Sequence, residues 1–166
     1  MYRKISDFIS DYKSESENTL KIFNRIDRSK KSLKVNENIR SMERLAWHIA
    51  QTLSDMMHRT GLADHDDLDA LPIPADFEKI LEIYNEHVKS LLKEVGSKWK
   101  DDEMEDKMEF FGEKWAKGFL LQSIITHEIH HRGQLTVVMR YFGNPVPGIY
   151  GPSREEWVTY HMPAME

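Results

Sequence analysis

Residues 120–143 read LLQSIITHEIHHRGQLTVVMRYFG. Leu120, Ile124, His127, His131, Leu135, Val138 and Phe142 recur at steps of three and four, the spacing that places side chains on one face of an α-helix. Gly143, followed by Pro145, is the expected stop. A stripe of this length must be covered by other helices, so the segment points to a helical bundle.

The rest of the chain supplies the partners. Ile5, Phe8, Ile9, Tyr12, Leu20, Phe23 and Ile26 outline a first helix from about residue 3 to Asp27, with a polar gap from Ser14 to Asn18. Ser41 is placed to cap a second helix whose inner face carries Met42, Leu45, His48, Ile49, Thr52 and Met56, with Gly61 as its stop. After a loop rich in aspartate, Pro74 suits the first turn of a third helix carrying Phe77, Ile80, Leu81, Tyr84, Val88, Leu91 and Leu92, and Gly96 is its expected end. Residues 98–109 are too polar for a core and read as an irregular excursion or a short hairpin through Phe110 and Phe111. Residues 144–166 hold four prolines and two glycines and read as a tail wrapping the bundle. The expected fold is all-α, a four-helix bundle with an irregular C-terminal tail, in one domain over residues 1–166.

Composition narrows the function. A formal charge of −5 without a dense basic run argues against nucleic acid as a partner. With no cysteine, any metal must be held by His, Asp or Glu. The N-terminus lacks an apolar core of signal-peptide length and no window approaches the roughly 18 apolar residues of a membrane span, so a cytoplasmic protein with no membrane partner is expected.

His127 and His131 stand one turn apart on the inner face, where a divalent ion would relieve the cost of burying two imidazoles. His48 lies on the inner face of helix two and could complete a tripod with open coordination positions. Ordinary core histidines satisfied by hydrogen bonds are the competing reading. His130, about 100° around the helix from His131, should point away. Glu128 and Arg132, four residues apart, read as a surface ion pair.

His127-Glu128-Ile129-His130-His131 also fits the H-E-x-x-H helix of zinc peptidases, in which the Glu activates water. The extended form of that motif is absent, since Gln134 and Val137 stand where it requires Gly and His. A downstream carboxylate, Glu155 or Glu156, remains open as a third ligand.

The run from His127 to Leu135, followed by Met139-Arg140-Tyr141-Phe142-Gly143 and Pro145-Val146-Pro147-Gly148, with Leu45-Ala46-Trp47-His48-Ile49 in helix two, resembles the DinB family. The resemblance implies a four-helix bundle, commonly a homodimer, in which His48, His127 and His131 bind a divalent ion. It also implies that Glu128 is not a peptidase-type base. Three imidazoles suit Zn or Ni first, and also Fe, Co or Cu. Relatives in the wider superfamily transfer low-molecular-weight thiols to electrophiles, so the resemblance implies a thiol S-transferase acting on a small-molecule substrate. A metal-dependent hydrolase and a non-catalytic metal-binding module are the alternatives.

Among the neighbours, Gln134 is placed to hydrogen-bond a ligating imidazole or to be an ordinary polar residue at the helix seam. Gly133 suggests a close helix approach and Tyr150 a packing role in the tail. His58, His65, His87 and His161 have no assigned role, and the aspartates around His65 read as a solvated loop.

Overall fold

A computed structural model describes residues 1–164. Four α-helices dominate it: α1 (Ile5–Phe23), α2 (Met42–Arg59), α3 (Phe77–Lys98) and α4 (Lys117–Tyr141). A two-stranded hairpin, β1 (Lys107–Phe110) and β2 (Glu113–Ala116), joins α3 to α4, and short 3-10 helices occupy Asp101–Glu103 and Arg154–Tyr160. The expected four-helix bundle is present.

Around the bundle, α2 packs between α3 and α4, and α1 packs against the same two helices. The α1–α2 and α3–α4 connections therefore cross diagonally. One hydrophobic core runs through the bundle from Phe8 and Tyr12 to Leu135 and Met139. The stacked rings of Phe8 and Tyr12 and the edge-on contact of Phe23 with Tyr84 tie α1 into it.

The helix ends show which local signals decided them. Ser41 caps α2 by accepting from Arg44 N, as expected. Helix α1 stops at Phe23, earlier than the apolar pattern suggested, because the Arg28 guanidinium takes the carbonyls of Phe23 and Ile26. Helix α3 starts after Asp76, whose carboxylate accepts from Glu78 N, so Pro74 lies in the preceding loop and not in the first turn. Gly96 does not end α3. The helix continues to Lys98, and Trp99, buried, closes it by donating its N–H to Val95 O.

The hairpin pairs Lys107 with Ala116 and Phe110 with Glu113. Its two turn residues, Phe111 and Gly112, have φ of 50° and 80°, the left-handed pair that a tight two-residue turn requires. Phe111 tolerates that conformation with its ring packed on Phe110 and under the Arg59 guanidinium. Gly118 serves a different purpose: a Cβ there would stand 1.9 Å from Tyr2 O, and Tyr2 N donates to Gly118 O.

The tail wraps the bundle along α1. Asn144 Oδ1 accepts from Asp27 N, Lys21 Nζ donates to Gly148 O, and Glu156 accepts from the backbone N–H groups of Gly148 and Ser153. No helix among the described residues is long and apolar enough to cross a membrane.

Candidate metal centre

The interface of α2 and α4 brings His48, His127 and His131 together. One ligand atom from each lies within 4.8 Å of the others, and among the described residues no other such cluster occurs. His131 Nε2 is 3.1 Å from His48 Nε2 and 3.1 Å from His127 Nε2. Nitrogens bound about 2.1 Å from one ion at right or tetrahedral angles stand about 3.0–3.4 Å apart, and both His131 distances match that spacing.

Proton positions agree with that fit. His131 Nδ1 lies 2.9 Å from Gln134 Oε1, and Gln134 Nε2 lies 3.0 Å from His130 Nε2. With the amide nitrogen donating to His130, its oxygen accepts from His131 Nδ1–H, and the lone pair of His131 Nε2 faces the other two histidines. His130 points away from the tripod, as its helical position predicted, and steadies the glutamine.

The imidazoles are neutral at pH 7. Burial, then Arg40 and the neighbouring rings, push His48 down to about 3. Burial, then His131, His130 and Arg40, bring His127 to about 4. His131 is also lowered, chiefly by burial. Neutral nitrogens are the form that ligates metal.

Glu128 and Arg132 overturn the surface-pair reading. Glu128 is 4% and Arg132 3% exposed, and they do not face solvent. Because α4 touches α1 as well as α2, it buries two faces: His127 turns to α2, while Glu128 turns to α1 and α3. Glu128 Oε2 accepts from Tyr12 OH, and Oε1 accepts from Thr19 and Tyr84 hydroxyls. Burial raises the Glu128 carboxyl, against the pull of these three hydroxyls and Arg132. The Arg132 guanidinium donates to Thr19 Oγ1, to Glu15 O and carboxylate, and to Tyr150 OH. Tyr150 also donates to Glu15, so the tail residue expected only to pack closes a polar network. The warning was in α1: Thr19 lies at stripe spacing from Tyr12 and Ser16, inside or beside the polar gap, and all three are buried.

The remaining expectations separate cleanly. Glu155 pairs with Arg140 and Glu156 caps the tail backbone, so neither reaches the histidines. A Cβ on Gly133 would meet nothing within 4 Å, so no close helix approach occurs there. Asp66 accepts from Ser54, and the other loop aspartates join no ligand cluster.

Beside the tripod lies a cavity of about 560 Å³, reached by His131 and Gln134. Val35, Ile39, Leu45, Val137 and Tyr141 form apolar walls, and Asn38 and Arg40 supply the other polar lining. Sequence reasoning missed this cavity because the connection between α1 and α2 builds one wall of it.

Comparison with known proteins agrees with the architecture. The chain is 28% identical over 164 residues, 99% of its length and 98% of the relative's, to the uncharacterized protein YrdA of Bacillus subtilis strain 168. It is similar to the crystal structure of a DinB-like protein from Bacillus cereus ATCC 10987, with a TM-score of 0.80 and 29% identity over 90% of this chain and 100% of that one. A DinB-like protein from Bacillus subtilis, YjoA, shares the fold at a TM-score of 0.69 and 18% identity, covering 89% of this chain and 99% of the other. The sequence profile of the DinB family matches residues 1–163, and the chain belongs to that family.

Proposed function

We propose that this protein is a divalent-metal-dependent transferase that joins a low-molecular-weight thiol to a small electrophile. The observation that carries the reading is the convergence of three imidazole nitrogens, and of no carboxylate, beside a cavity. A closed structural site would use a fourth protein ligand. Among the described residues none joins the three.

A divalent ion held there, Zn or Ni first, supplies Lewis acidity that lowers the pKa of a thiol placed against it. The chain does the rest. His48, His127 and His131 fix the donor geometry, and Gln134 holds the His131 ring in the ligating tautomer. The cavity walls give the electrophile an apolar surface that orients it toward the histidines. Sulfur bonds to the electrophilic carbon as the leaving group departs with its electron pair, and the thiol proton passes to solvent. Glu128 takes no part, because its carboxylate is consumed by hydroxyl donors on the side of α4 facing α1. A homodimer belongs to the same reading, and size-exclusion chromatography with light scattering checks it.

Elemental analysis of protein purified without a polyhistidine tag or chelator, followed by an assay with cysteine-containing thiols and a chloronitrobenzene electrophile, tests the proposal. About one ion per chain and thiol-dependent turnover are expected, both lost in His127→Ala and His48→Ala. Turnover unchanged in His127→Ala would refute the mechanism. Cleavage of an ester panel without thiol transfer would favour hydrolysis instead.

A further inference from the structure

Two arginines beside the tripod have no acidic partner among the described residues. Arg40 lines the cavity with His131 and Gln134, and its charge reaches His48, His127, His131 and Arg44. Arg44 follows one turn later, half-buried, and also acts on His48. Among the described residues neither guanidinium makes a hydrogen bond or ion pair, although the chain has more acidic than basic residues; Arg40 is exposed and Arg44 half-buried, whereas the buried Arg132 is fully engaged. Arg40 stands in the lining of the apolar cavity and Arg44, outside that lining, feels its like charge. An anion between them removes that repulsion and satisfies their donors.

A second cleft that borders the site has the opposite sign. His48 also borders a cleft of about 260 Å³ that is lined by Asp55, Asp66 and Asp69. An anionic ligand is repelled there and drawn to the Arg40 side, so the charge pattern fixes direction as well as preference. The walls of the larger cavity, Val35, Ile39, Val137 and Tyr141, are apolar and demand an apolar body.

We propose that the cavity binds a small amphipathic carboxylate, its apolar body against Val35, Ile39, Val137 and Tyr141 and its carboxylate on Arg40 with support from Arg44. This names the substrate class that reaches the site and rests on the metal-dependent reading above only for the chemistry that follows binding. The planar guanidinium fork of Arg40 matches a carboxylate in two parallel hydrogen bonds.

Hexanoate and hexan-1-ol, which share the apolar chain and differ in the head group, are the probes. Their dissociation constants are measured by NMR titration on metal-free and Zn-loaded protein, for wild type, Arg40→Gln, Arg40→Lys and Arg44→Gln. Hexanoate should bind wild type more tightly than hexan-1-ol, and Arg40→Gln should weaken hexanoate about five- to tenfold while moving hexan-1-ol less than twofold. Arg40→Lys should retain part of the affinity, and Arg44→Gln should cost less than Arg40→Gln. The Arg40 dependence should persist without metal. An unchanged hexanoate affinity in Arg40→Gln, or equal losses for both probes, overturns the proposal. Hexanoate binding that needs Zn and ignores Arg40 would overturn it and leave the metal reading standing. Failure of the protein to hold metal, with Arg40 dependence intact, would do the reverse.

Discussion

Replacing Glu128 with alanine should destabilise the bundle without disturbing the proposed metal site. The carboxylate is 4% exposed and accepts three hydroxyl hydrogen bonds, at 2.9 Å from Tyr12, 2.5 Å from Thr19 and 2.6 Å from Tyr84. Each buried donor left without an acceptor costs about 1–3 kcal/mol. The three hydroxyls can turn toward one another and serve as acceptors, so the sum is not reached. Arg132 keeps Glu15 as a counter-charge, which removes the largest penalty of an orphaned buried cation. About 3–5 kcal/mol is therefore expected for Glu128→Ala, the range for breaking a buried charged cluster. Glu128→Gln keeps the volume and one acceptor oxygen, and a hydroxyl can accept from its amide, so about 1–2 kcal/mol is expected. Urea unfolding followed by circular dichroism measures both, and chelator competition measures metal affinity in the same samples. A loss below about 1 kcal/mol for Glu128→Ala would refute the buried network. Normal stability with lost metal in Glu128→Gln would show that the carboxylate serves the metal centre after all.

Three further outcomes follow from other residues. Gly133→Ala places a methyl where nothing lies within 4 Å and should raise stability by about 0.5–1 kcal/mol in thermal or urea unfolding, whereas a loss would mean that another molecule covers that face. Gln134→Leu removes the acceptor for His131 Nδ1–H and should weaken metal binding about 10- to 100-fold in chelator competition, with unaltered affinity as the contrary result. Glu156 is held below the ordinary carboxylate range by the N–H groups of Gly148 and then Ser153. Its folded pKa is depressed, so the stability it gives the tail is present above pH 4.5 and is lost as pH falls through the folded value. Hydrogen exchange across residues 148–160 should speed up in that window before α4 does, and uniform exchange across both would contradict the assignment.

The four helices were legible because each carries one long apolar stripe, and Ser41 and Gly143 mark their ends by side-chain chemistry that needs no tertiary context. The hairpin was visible as an alternative because Phe110 and Phe111 follow a stretch too polar for a core. Gly96 misled because a helix end is settled by what the next residues bury, and Trp99 enters the core three residues after Gly96. Glu128 and Arg132 misled for a deeper reason. A stripe analysis assigns one inner face per helix, but α4 is gripped from two sides, and a charged residue on its second buried face looks like any solvated one. The convergence of His127 and His131 followed from their spacing alone. Bringing His48 to them needed the family resemblance, because nothing local says which turn of α2 faces which turn of α4. Arg40 was invisible, since its meaning lies in the absence of a partner.

The adjacency of His127 and Glu128 on α4 divides the helix by consequence. In a saturation mutagenesis of α4, substitutions at Glu128 and Arg132 should lower the amount of protein in the cell, while those at His127 and His131 should leave abundance high and remove function. Because neighbouring positions answer to these different selections, the chemistry of the cavity can drift across relatives while the same polar ladder keeps the bundle assembled.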